Sequence, residues 1–307
     1  MLENLKHEVL RTVYKLFPFD LEGDVFFAVG AQKDLKISCV INFYGRLDLL
    51  GGILHSLSDQ DYPRDRFEVI LVEDRNGTQA GKDFCYSFSD RLNLIYLPLD
   101  KNFGQMGYSR NFGLTRTAGD YVLFLDDDTV LLQNDFLTKL EHTFENHPEA
   151  DALMPLGLAA YCEWPSGYCF HDPYFPTSRC TAYRRQVLTE LKGFMDFFIG
   201  QEDVEFVIRF TLRGKMALPV PQLSYFHPPL LVLNIKKPQA VGVSFSRLRG
   251  RYSSLMLWLV ALNCSRHVPL MISWKRHHRE MGRFGVGFFI GFIKAWLKPQ
   301  TEARYSG

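Results

Sequence analysis

The stretch Tyr121-Val122-Leu123-Phe124-Leu125-Asp126-Asp127-Asp128 decides how the rest of this chain is interpreted. Its first five residues are apolar enough to predict a strand buried in a sheet. Three carboxylates at the carboxyl end of such a strand repel one another unless a cation lies among them. Mg²⁺ and Mn²⁺ prefer oxygen ligands and are commonly held by one or two carboxylates together with substrate phosphates. The stretch therefore indicates a metal-assisted enzyme that acts on a phosphorylated ligand, with a merely polar exit from the strand as the alternative.

The segments on either side of this strand alternate between strand and helix patterns. Strands are predicted at 37–43, 67–72 and 92–97, and helices at 46–57, 107–118, 135–146 and 202–213. Such alternation predicts an α/β fold with a mostly parallel central sheet and helices on both faces. In such sheets, ligands bind beyond the carboxyl ends of the strands. Asp74 follows the second strand as Asp126 follows the fourth, so both carboxylates are expected at one edge of the sheet.

The charge of the chain is unevenly distributed, although its formal net charge is only +1. From residue 230 onward there are 13 Lys and Arg against two Glu, so this tail carries +11 and the remainder −10. This division predicts an acidic body and a basic region that meets an anionic surface.

Cysteine usage and the first residues indicate the compartment. The six Cys are scattered without a CxxC pair, which is typical of proteins from a reducing compartment. Residues 1–17 carry charges throughout and lack the apolar centre of a signal peptide. No apolar run is expected to reach the roughly 18 to 20 residues that span a bilayer. We therefore expect a cytoplasmic protein.

Five ordered motifs lie between residues 37 and 227. They are Ile37-Ser38-Cys39-Val40-Ile41-Asn42-Phe43-Tyr44, the acid pair Glu73-Asp74, a middle motif (Asn102-Phe103-Gly104, Ser109-Arg110-Asn111-Phe112-Gly113 and Ala118-Gly119-Asp120-Tyr121), the DxD motif Asp126-Asp127-Asp128, and an acceptor-side set (Tyr183-Arg184-Arg185, Gly193-Phe194 and Gly200-Gln201-Glu202-Asp203). In this order they resemble the family 2 inverting glycosyltransferases of the GT-A fold. The resemblance implies transfer of a sugar from a nucleotide-diphosphate sugar to a hydroxyl acceptor. The QxxRW signature of processive synthases is missing, so one sugar per encounter is expected.

Three positions are expected to contact the nucleotide. The resemblance implies that Asp74 binds the nucleobase, whereas its alternative role is to cap the turn at 75–77. Arg110 is expected to reach the diphosphate or the base, or else to form a surface ion pair. Asn42-Phe43 stands where the family usually has Pro-Thr, so Phe43 is expected at the nucleotide with altered contacts.

The acidic motif and one late histidine are the expected metal ligands. Side chains alternate along an extended segment, so Asp126 and Asp128 point to the same side. Asp128 is expected to bind Mn²⁺ or Mg²⁺ directly, and Asp126 to bind the ribose or to reach the metal through water. Asp127 would face away and cap the next helix. His227 lies where many GT-A enzymes place a histidine near the metal or diphosphate, although a lone histidine is more often a packed or exposed residue.

Inversion at the anomeric carbon needs a base that takes the proton of the acceptor hydroxyl. Glu202 and Asp203 are the candidates, with Asp203 favoured, although acids also favour helix starts because of the helix dipole. Residues 161–178 form a long irregular stretch that is expected to be a binding loop or lid. Arg209, two turns along the helix, is expected to be structural.

The basic tail contains two apolar runs, 255–262 and 284–293, that are flanked by Lys and Arg. Such segments suit helices that lie in the interface of an anionic leaflet, with packing on the acidic body as the alternative. We expect a peripheral protein at the inner face of the membrane, acting on a glycan or lipid-linked acceptor, with no nucleic acid as a partner.

These inferences divide the chain into three parts. Residues 1–36 are expected to form a docking helix and linker, 37–229 a GT-A catalytic domain and 230–307 the basic helical tail. Within the catalytic domain, 37–130 is the nucleotide-sugar half and 131–229 the acceptor half. A catalytically silent nucleotide-sugar-binding scaffold of a glycan-assembly complex is the alternative function. A sugar nucleotidylyltransferase is a weaker third hypothesis, because its Gly-rich opening loop is missing near Ile37.

Overall fold

The computed structural model describes residues 2–25, 34–159, 177–228, 232 and 234–298. Its strands are β1 (Ile37–Phe43), β2 (Phe67–Glu73), β3 (Leu94–Pro98), β4 (Tyr121–Asp126), β5 (Val130–Leu131), β6 (Ala152–Ala159), β7 (Cys180–Arg184) and β8 (Ala217–His227). Its helices are α1 (Leu2–Leu16), α2 (Leu47–Ser58), α3 (Gln79–Tyr86), α4 (Met106–Leu114), α5 (Phe136–Asn146), α6 (Arg185–Glu190), α7 (Glu202–Leu212), α8 (Lys236–Ser246), α9 (Ser254–Cys264) and α10 (Arg276–Leu297). Short 3₁₀ turns lie at Arg64–Arg66, Arg247–Gly250 and Val268–Ile272. The expected binding loop at 161–178 lies outside the described residues, apart from 177 and 178.

The strands form a single sheet in the order β3-β2-β1-β4-β7-β6-β8-β5. The first four strands in this order run parallel to one another. Strand β7 runs antiparallel to both β4 and β6, and β8 is parallel to β6. The predicted mostly parallel sheet is confirmed. The parallel half brings the carboxyl ends of β1, β2 and β4 to one edge, which is where the site is built.

The side chains of each central strand alternate between two apolar layers. In β4, Leu123 and Leu125 join the layer covered by α2 and α5, whereas Val122 and Phe124 join the layer that contains residues of α4, α6 and α7. All seven residues of β1 are buried, as are those of β2. Burial on both faces explains why these strands read as continuous apolar runs.

The second half of the sheet was not predicted as strands. Strand β6 contains Pro155 and Gly157, and β8 contains Pro219 and Pro221, residues that rarely occupy strand interiors. The pairing of β6 with β8 shifts register between Pro155 and Leu156, so these prolines sit beside an irregularity of the ladder. Helix α3 was also missed, because it is short and polar and depends on the side chain of Thr78, which accepts a hydrogen bond from the Gly81 N–H.

The tail packs on the body through a third apolar cluster. Phe198 and Ile208 from the body, Val13 and Phe19 from the N-terminal segment, and residues of α8, α9 and α10 share this cluster. Phe288 and Phe292, in the apolar run 284–293, are fully buried there. The run therefore belongs largely to the core.

One described segment, Ser254–Ile272, is long and apolar enough to cross a membrane by length and composition. This corrects the expectation that no run in the chain reaches that length. The segment comprises α9, a turn and the 3₁₀ turn Val268–Ile272, and 28% of it is buried inside the protein. Core helices pass the same test, so the finding carries no conclusion about topology.

Candidate active site

Strand pairing brings the acidic motif and the late histidine together. Asp126 is the last residue of β4, and the chain then turns, with the Thr129 N–H donating to the Asp126 carbonyl. Strand β5 follows directly and pairs with β8, placing Val130 opposite Phe226. His227 ends β8 and therefore comes to lie beside the turn that carries Asp126 and Asp128.

The side chains of Asp126, Asp128 and His227 form a compact cluster. The Nε2 atom of His227 lies 3.3 Å from Asp126 Oδ2 and 3.1 Å from Asp128 Oδ1. One ligand atom from each residue lies within 4.8 Å of the other two. Two carboxylate oxygens and one imidazole nitrogen are a donor set that suits a divalent ion such as Mn²⁺. The residues present thus fit the metal that the sequence predicts, and they include all three expected ligands.

The electrostatics of this cluster are those of strongly coupled charges. Burial opposes protonation of His227, but hydrogen bonds to the carboxylates of Asp126 and Asp128 outweigh it and raise the pKa of the imidazole to about 9. Although burial acts in the opposite direction, the hydrogen bond with His227 holds the pKa of each carboxylate below its ordinary value. The two carboxylates thus favour a positive charge at this position, which a protonated imidazole or a bound cation can supply.

Arg46 supplies a second positive charge at the site. Its guanidinium donates to Asp128 Oδ2 at 3.0 Å and also binds the carboxylate of Asp127. Asp127 is buried, and burial raises its pKa to about 7 while Arg46 acts against this shift. The expectation that Asp127 faces away and caps the next helix is wrong. Helix α5 begins at Phe136 and receives no side-chain cap.

Arg110 connects Asp126, one of the three clustered side chains, to the acid pair of α7. Its Nη2 donates to Asp126 Oδ1 at 2.8 Å and its Nε donates to Glu202 Oε1 at 2.6 Å. The side chain is almost completely buried beneath these carboxylates, so it is not the surface ion pair of the alternative interpretation. The two halves of the site therefore share one guanidinium.

Glu202 and Asp203 differ in what their carboxylates contact. Glu202 is buried against Arg110, whereas Asp203 is partly exposed. Asp203 Oδ2 accepts a hydrogen bond from the Ser178 N–H at 3.1 Å, and Oδ1 accepts one from the Val204 N–H at 2.9 Å. Burial raises the pKa of both carboxyls above their ordinary values. A raised pKa beside the metal cluster is appropriate for a group that accepts a proton.

The two remaining predicted residues lie at the neighbouring strand ends. Asp74 Oδ2 accepts a hydrogen bond from the Gly104 N–H at 2.9 Å, and Oδ1 accepts one from the Arg75 N–H at 2.9 Å. It therefore holds two loops together at the edge of the sheet. The Phe43 side chain points into the core, and the Phe43 carbonyl accepts from the Asp74 N–H at 3.0 Å. The Phe43 side chain is thus part of the core, and the Phe43 carbonyl holds the backbone of Asp74.

Sequence reasoning did not single out Arg46 or the side chain of Asn42. Arg46 follows Gly45 in a left-handed conformation with φ of 43°, which is uncommon for a residue other than glycine and clusters at functional sites. The only signal in the sequence was Gly45, two residues after a buried strand. Asn42 is paired with Asp126 in the sheet, and its Oδ1 atom is buried without a hydrogen-bond partner in the described part of the chain. Arg110 Nη1 is likewise buried without a hydrogen-bond partner in the described part of the chain.

Comparison with known proteins identifies the domain. Residues 38–157 match the model of Glycosyl transferase family 2. The chain is 29% identical over 124 residues to the poly(ribitol-phosphate) beta-N-acetylglucosaminyltransferase TarS of Staphylococcus aureus, a match that covers 40% of this chain and 22% of TarS. It is also 29% identical over 116 residues to a poly(ribitol-phosphate) beta-glucosyltransferase of Bacillus spizizenii, covering 38% of this chain and 18% of that protein. The matches thus span about a fifth of the length of these relatives.

Solved structures share the architecture over a longer part of the chain. Residues 1–349 of S. aureus TarS with UDP superpose with a TM-score of 0.57 and 16% identity, covering 87% of this chain and 92% of that one. A mannosyltransferase of Pyrobaculum calidifontis in complex with GDP-Man and Mn²⁺ gives a TM-score of 0.61 at 13% identity, with 97% of each chain covered. The resemblance drawn from the sequence motifs is confirmed: residues 38–157 match a Glycosyl transferase family 2 domain, and the structure has the GT-A fold.

Proposed function

We propose that the protein transfers a single sugar from a nucleotide-diphosphate sugar to a hydroxyl acceptor, with inversion and with help from Mn²⁺ or Mg²⁺. The observation that carries this proposal is the convergence of the Asp126, Asp128 and His227 cluster with the Glu202 and Asp203 pair, bridged by Arg110. The carboxyl edge of a parallel sheet is where such enzymes bind their ligands.

Asp126, Asp128 and His227 would hold the divalent ion. When bound, the ion neutralises negative charge that develops on the leaving diphosphate. Arg46 lies against Asp128 with half of its side chain exposed, so its guanidinium is available for the same diphosphate. The mannosyltransferase of similar fold, whose structure contains GDP-Man and Mn²⁺, supports this assignment.

Asp203 is our choice for the base. An inverting transfer needs one carboxylate that removes the proton of the acceptor hydroxyl as its oxygen attacks the anomeric carbon. Asp203 is partly exposed and accepts only backbone hydrogen bonds among the described contacts, whereas Glu202 is engaged by Arg110. Glu202 would therefore orient Arg110, and Asp203 would accept the proton.

Asp74 and Arg110 are proposed to position the nucleotide. Asp74 fixes the Gly104 backbone, and its carboxylate lies at the carboxyl end of β2, where a nucleobase or ribose would be reached. Arg110 Nη1 has no partner among the described residues and offers the remaining donor of a buried guanidinium. The structures of TarS with UDP and with UDP-GlcNAc support a nucleotide-diphosphate sugar as the donor.

The acceptor is proposed to be a surface glycan or a lipid-linked glycan, and the enzyme to work at the cytoplasmic face of a membrane. The relatives from S. aureus and B. spizizenii are named for poly(ribitol-phosphate), a polymer rich in hydroxyl groups and phosphate. The excess of 13 Lys and Arg over two Glu in the tail supports attachment to an anionic surface.

A thermal-shift screen of nucleotide sugars with and without Mn²⁺ tests the proposal. A ligand that binds the folded state raises the apparent stability by mass action, so the correct donor should stand out and its effect should increase with Mn²⁺. Calorimetry that detects no uptake of a divalent ion, even with sugar nucleotides present, would contradict the proposal.

The alternative is a catalytically silent nucleotide-sugar-binding scaffold. Donor binding alone does not separate the two functions, so donor turnover must be measured. Slow hydrolysis or transfer that disappears in Asp203→Asn favours the enzyme. Absence of turnover in the wild-type protein with every donor that binds favours the scaffold.

A further inference from the structure

The apolar runs of the tail differ in how much of them reaches the surface. Phe288 and Phe292 in α10 are fully buried, so this helix does not offer its apolar run to a partner. The most exposed large apolar side chains lie instead at the junction between the 3₁₀ turn Val268–Ile272 and α10. Ile272 is 90% exposed and Trp274 is 97% exposed.

We infer that residues 271–276, here called the junction tip, form a surface that docks into an anionic lipid bilayer. The tip carries Met271, Ile272 and Trp274 together with Lys275 and Arg276, all of them exposed. Apolar side chains of this size remain in water at a free-energy penalty unless another surface covers them. Tryptophan favours the boundary between water and lipid, because its ring is apolar and its N–H is polar.

Basic residues surround the apolar centre of the junction tip. Arg266, Arg279 and Arg283 are exposed on the adjoining segments. From residue 232 to 298 the sequence contains a single acidic residue, Glu280, and its side chain is buried. An apolar centre with a positive rim and no exposed acid matches an anionic leaflet in charge and in polarity.

The tip is held in a fixed conformation. Arg279 Nη1 donates to the carbonyls of Ser273 and Trp274 at 3.0 and 2.8 Å. Ser273 Oγ lies 2.9 Å from His278 Nδ1, and the Ser273 N–H donates to the Leu270 carbonyl at 3.0 Å. The tip is therefore already ordered before it docks. Docking then costs less conformational entropy, which favours binding.

The helix that follows the junction tip contacts the chain beyond β8. Buried Glu280, one turn into α10, accepts a hydrogen bond from the Val232 N–H at 2.9 Å. Val232 lies five residues beyond His227, the end of β8. A bilayer bound at the tip would thus meet the helix that holds Val232, and we expect a lipid-linked acceptor to be presented from that membrane. The lipid contact deepens the attachment to an anionic surface in the proposed function, and this interpretation of the acceptor rests on the proposed sugar transfer.

Vesicle sedimentation with the full chain tests the inference. Phosphatidylcholine vesicles with phosphatidylglycerol should bind the wild-type protein at low salt, and vesicles of phosphatidylcholine alone should bind it weakly. The double variant Ile272→Ala/Trp274→Ala should lose most of this binding. Removal of each charge in Lys275→Ala and Arg276→Ala should weaken binding about fivefold.

Leu297→Ala is the matched control, because Leu297 is an exposed apolar residue at the opposite end of α10. It should bind vesicles as the wild type does. All substituted side chains are exposed, so unchanged thermal midpoints should show that folding is intact. A wild-type protein that ignores anionic vesicles, or a Leu297→Ala defect equal to that of the tip variant, overturns the inference.

Two further measurements separate other partners from lipid. If the tip instead joins two copies of this chain, the tip variant will change the sedimentation coefficient of the protein without vesicles, and the inference fails. Donor binding in lipid-free solution is measured in parallel. Because that measurement reports only on the sugar-nucleotide site, failure of the proposed function and failure of the lipid contact remain distinguishable.

Discussion

Asp203 and Glu202 are neighbours in the sequence, yet only one of them is free of a side-chain ion pair among the described contacts. Glu202 Oε1 is bound by Arg110 at 2.6 Å, whereas the Asp203 carboxylate accepts backbone N–H groups. We predict that Asp203→Asn lowers the rate of sugar transfer by about 10²- to 10⁴-fold, the usual contribution of a general base. Initial rates with a labelled donor measure this effect.

Donor affinity of Asp203→Asn should remain at the wild-type value. The amide keeps only one of the two oxygens that accept the Ser178 and Val204 N–H groups, so a modest fall of the thermal midpoint is expected. Asp90→Asn serves as the control, since the Asp90 side chain is 79% exposed on the body. If Asp203→Asn transfers sugar at the wild-type rate, Asp203 does not act as the base.

His227 is predicted to contribute directly to metal affinity. His227→Ala removes the nitrogen that lies 3.3 and 3.1 Å from the two carboxylates. Mutation of residues that only hydrogen-bond to metal ligands lowers metal affinity by about 10- to 100-fold. Loss of a ligand itself should therefore weaken Mn²⁺ binding at least about tenfold. Isothermal titration calorimetry measures the change, with the exposed His142→Ala as control. Equal affinity in both variants would remove His227 from the metal site.

At this scale the sequence predicted the acids, the histidine and Arg110, but not the second cation of the site, Arg46. A strand that ends in carboxylates places Asp126 and Asp128, since strand geometry fixes their direction. Arg46 reaches the same carboxylates from a left-handed loop position after β1, and a backbone conformation of that kind is not encoded in a residue pattern. Because Arg46 is also the partner of Asp127, the ion pair of Asp127 was not predicted either.

Helix α4 is tied to α7 and β4 by the buried guanidinium of Arg110. Removal of one partner of a buried ion pair leaves an uncompensated charge, which costs about 3–5 kcal/mol. Arg110→Met should therefore lower the free energy of unfolding by about this amount, measured by urea denaturation. Arg116→Met, at an exposed position just beyond the same helix, should change it by less than about 0.5 kcal/mol. Similar values for both variants would mean that the Arg110 bridge adds no stability.

Strands β1 and β2 are joined to the start of β4 by a buried carboxyl group. Glu68 Oε1 accepts from Ser38 Oγ at 2.5 Å and from the Ala118 N–H at 2.8 Å. Burial raises the pKa of Glu68 above its ordinary value of 4.5, and these hydrogen bonds act in the opposite direction. Because the folded protein holds this proton more tightly than the unfolded chain, its contribution to stability is complete below pH 4.5 and is lost as the pH rises through the folded pKa.

The Glu68→Gln side chain keeps an oxygen that can accept the hydrogen bonds from Ser38 and Ala118, but it has no carboxyl group that titrates. We predict that the free energy of unfolding of the wild type falls more steeply with rising pH than that of Glu68→Gln. Urea denaturation at several pH values between about 5 and 8, where most proteins are at their most stable, compares the two slopes. Parallel slopes would show that Glu68 does not titrate in this range.

The strands whose bounds were predicted to within one residue are those buried on both faces. Strand β1 was predicted with its observed bounds, and β2 and β4 to within one residue. Strands β6 and β8 were missed because Pro155, Pro219 and Pro221 break the alternation, and their pairing depends on contacts distant in the sequence. Helix α4 ends at Leu114, four residues early, since Thr117 Oγ1 donates to the Leu114 carbonyl in a turn.

In the molecule as a whole, the tail and the body share one apolar cluster and should unfold together. Phe288 of α10 is fully buried within this cluster. We predict that Phe288→Ala lowers the free energy of unfolding by about 3–5 kcal/mol and shifts a single transition. Three of the four Trp (Trp258, Trp274 and Trp296) lie in the tail, so fluorescence reports on the tail and circular dichroism on the whole chain.

Coincident curves from the two probes are expected for wild type and variant. Leu255→Ala, at an exposed position of the adjacent α9, is the control and should leave both curves in place. A fluorescence transition at lower urea than the dichroism transition would mean that the tail unfolds independently.

A single guanidinium binds carboxylates from two segments that are distant in the sequence, and this constrains how such proteins can be recombined. Arg110 and Asp126 lie in residues 37–130, whereas Glu202 lies in residues 131–229. A chimaera that joins residues 37–130 to the corresponding later residues of another protein must supply an acidic residue at the position of Glu202. Otherwise the Arg110 guanidinium is buried without this carboxylate partner. Chimaeras between relatives are therefore expected to fold only when Arg110, Asp126 and Glu202 are all retained.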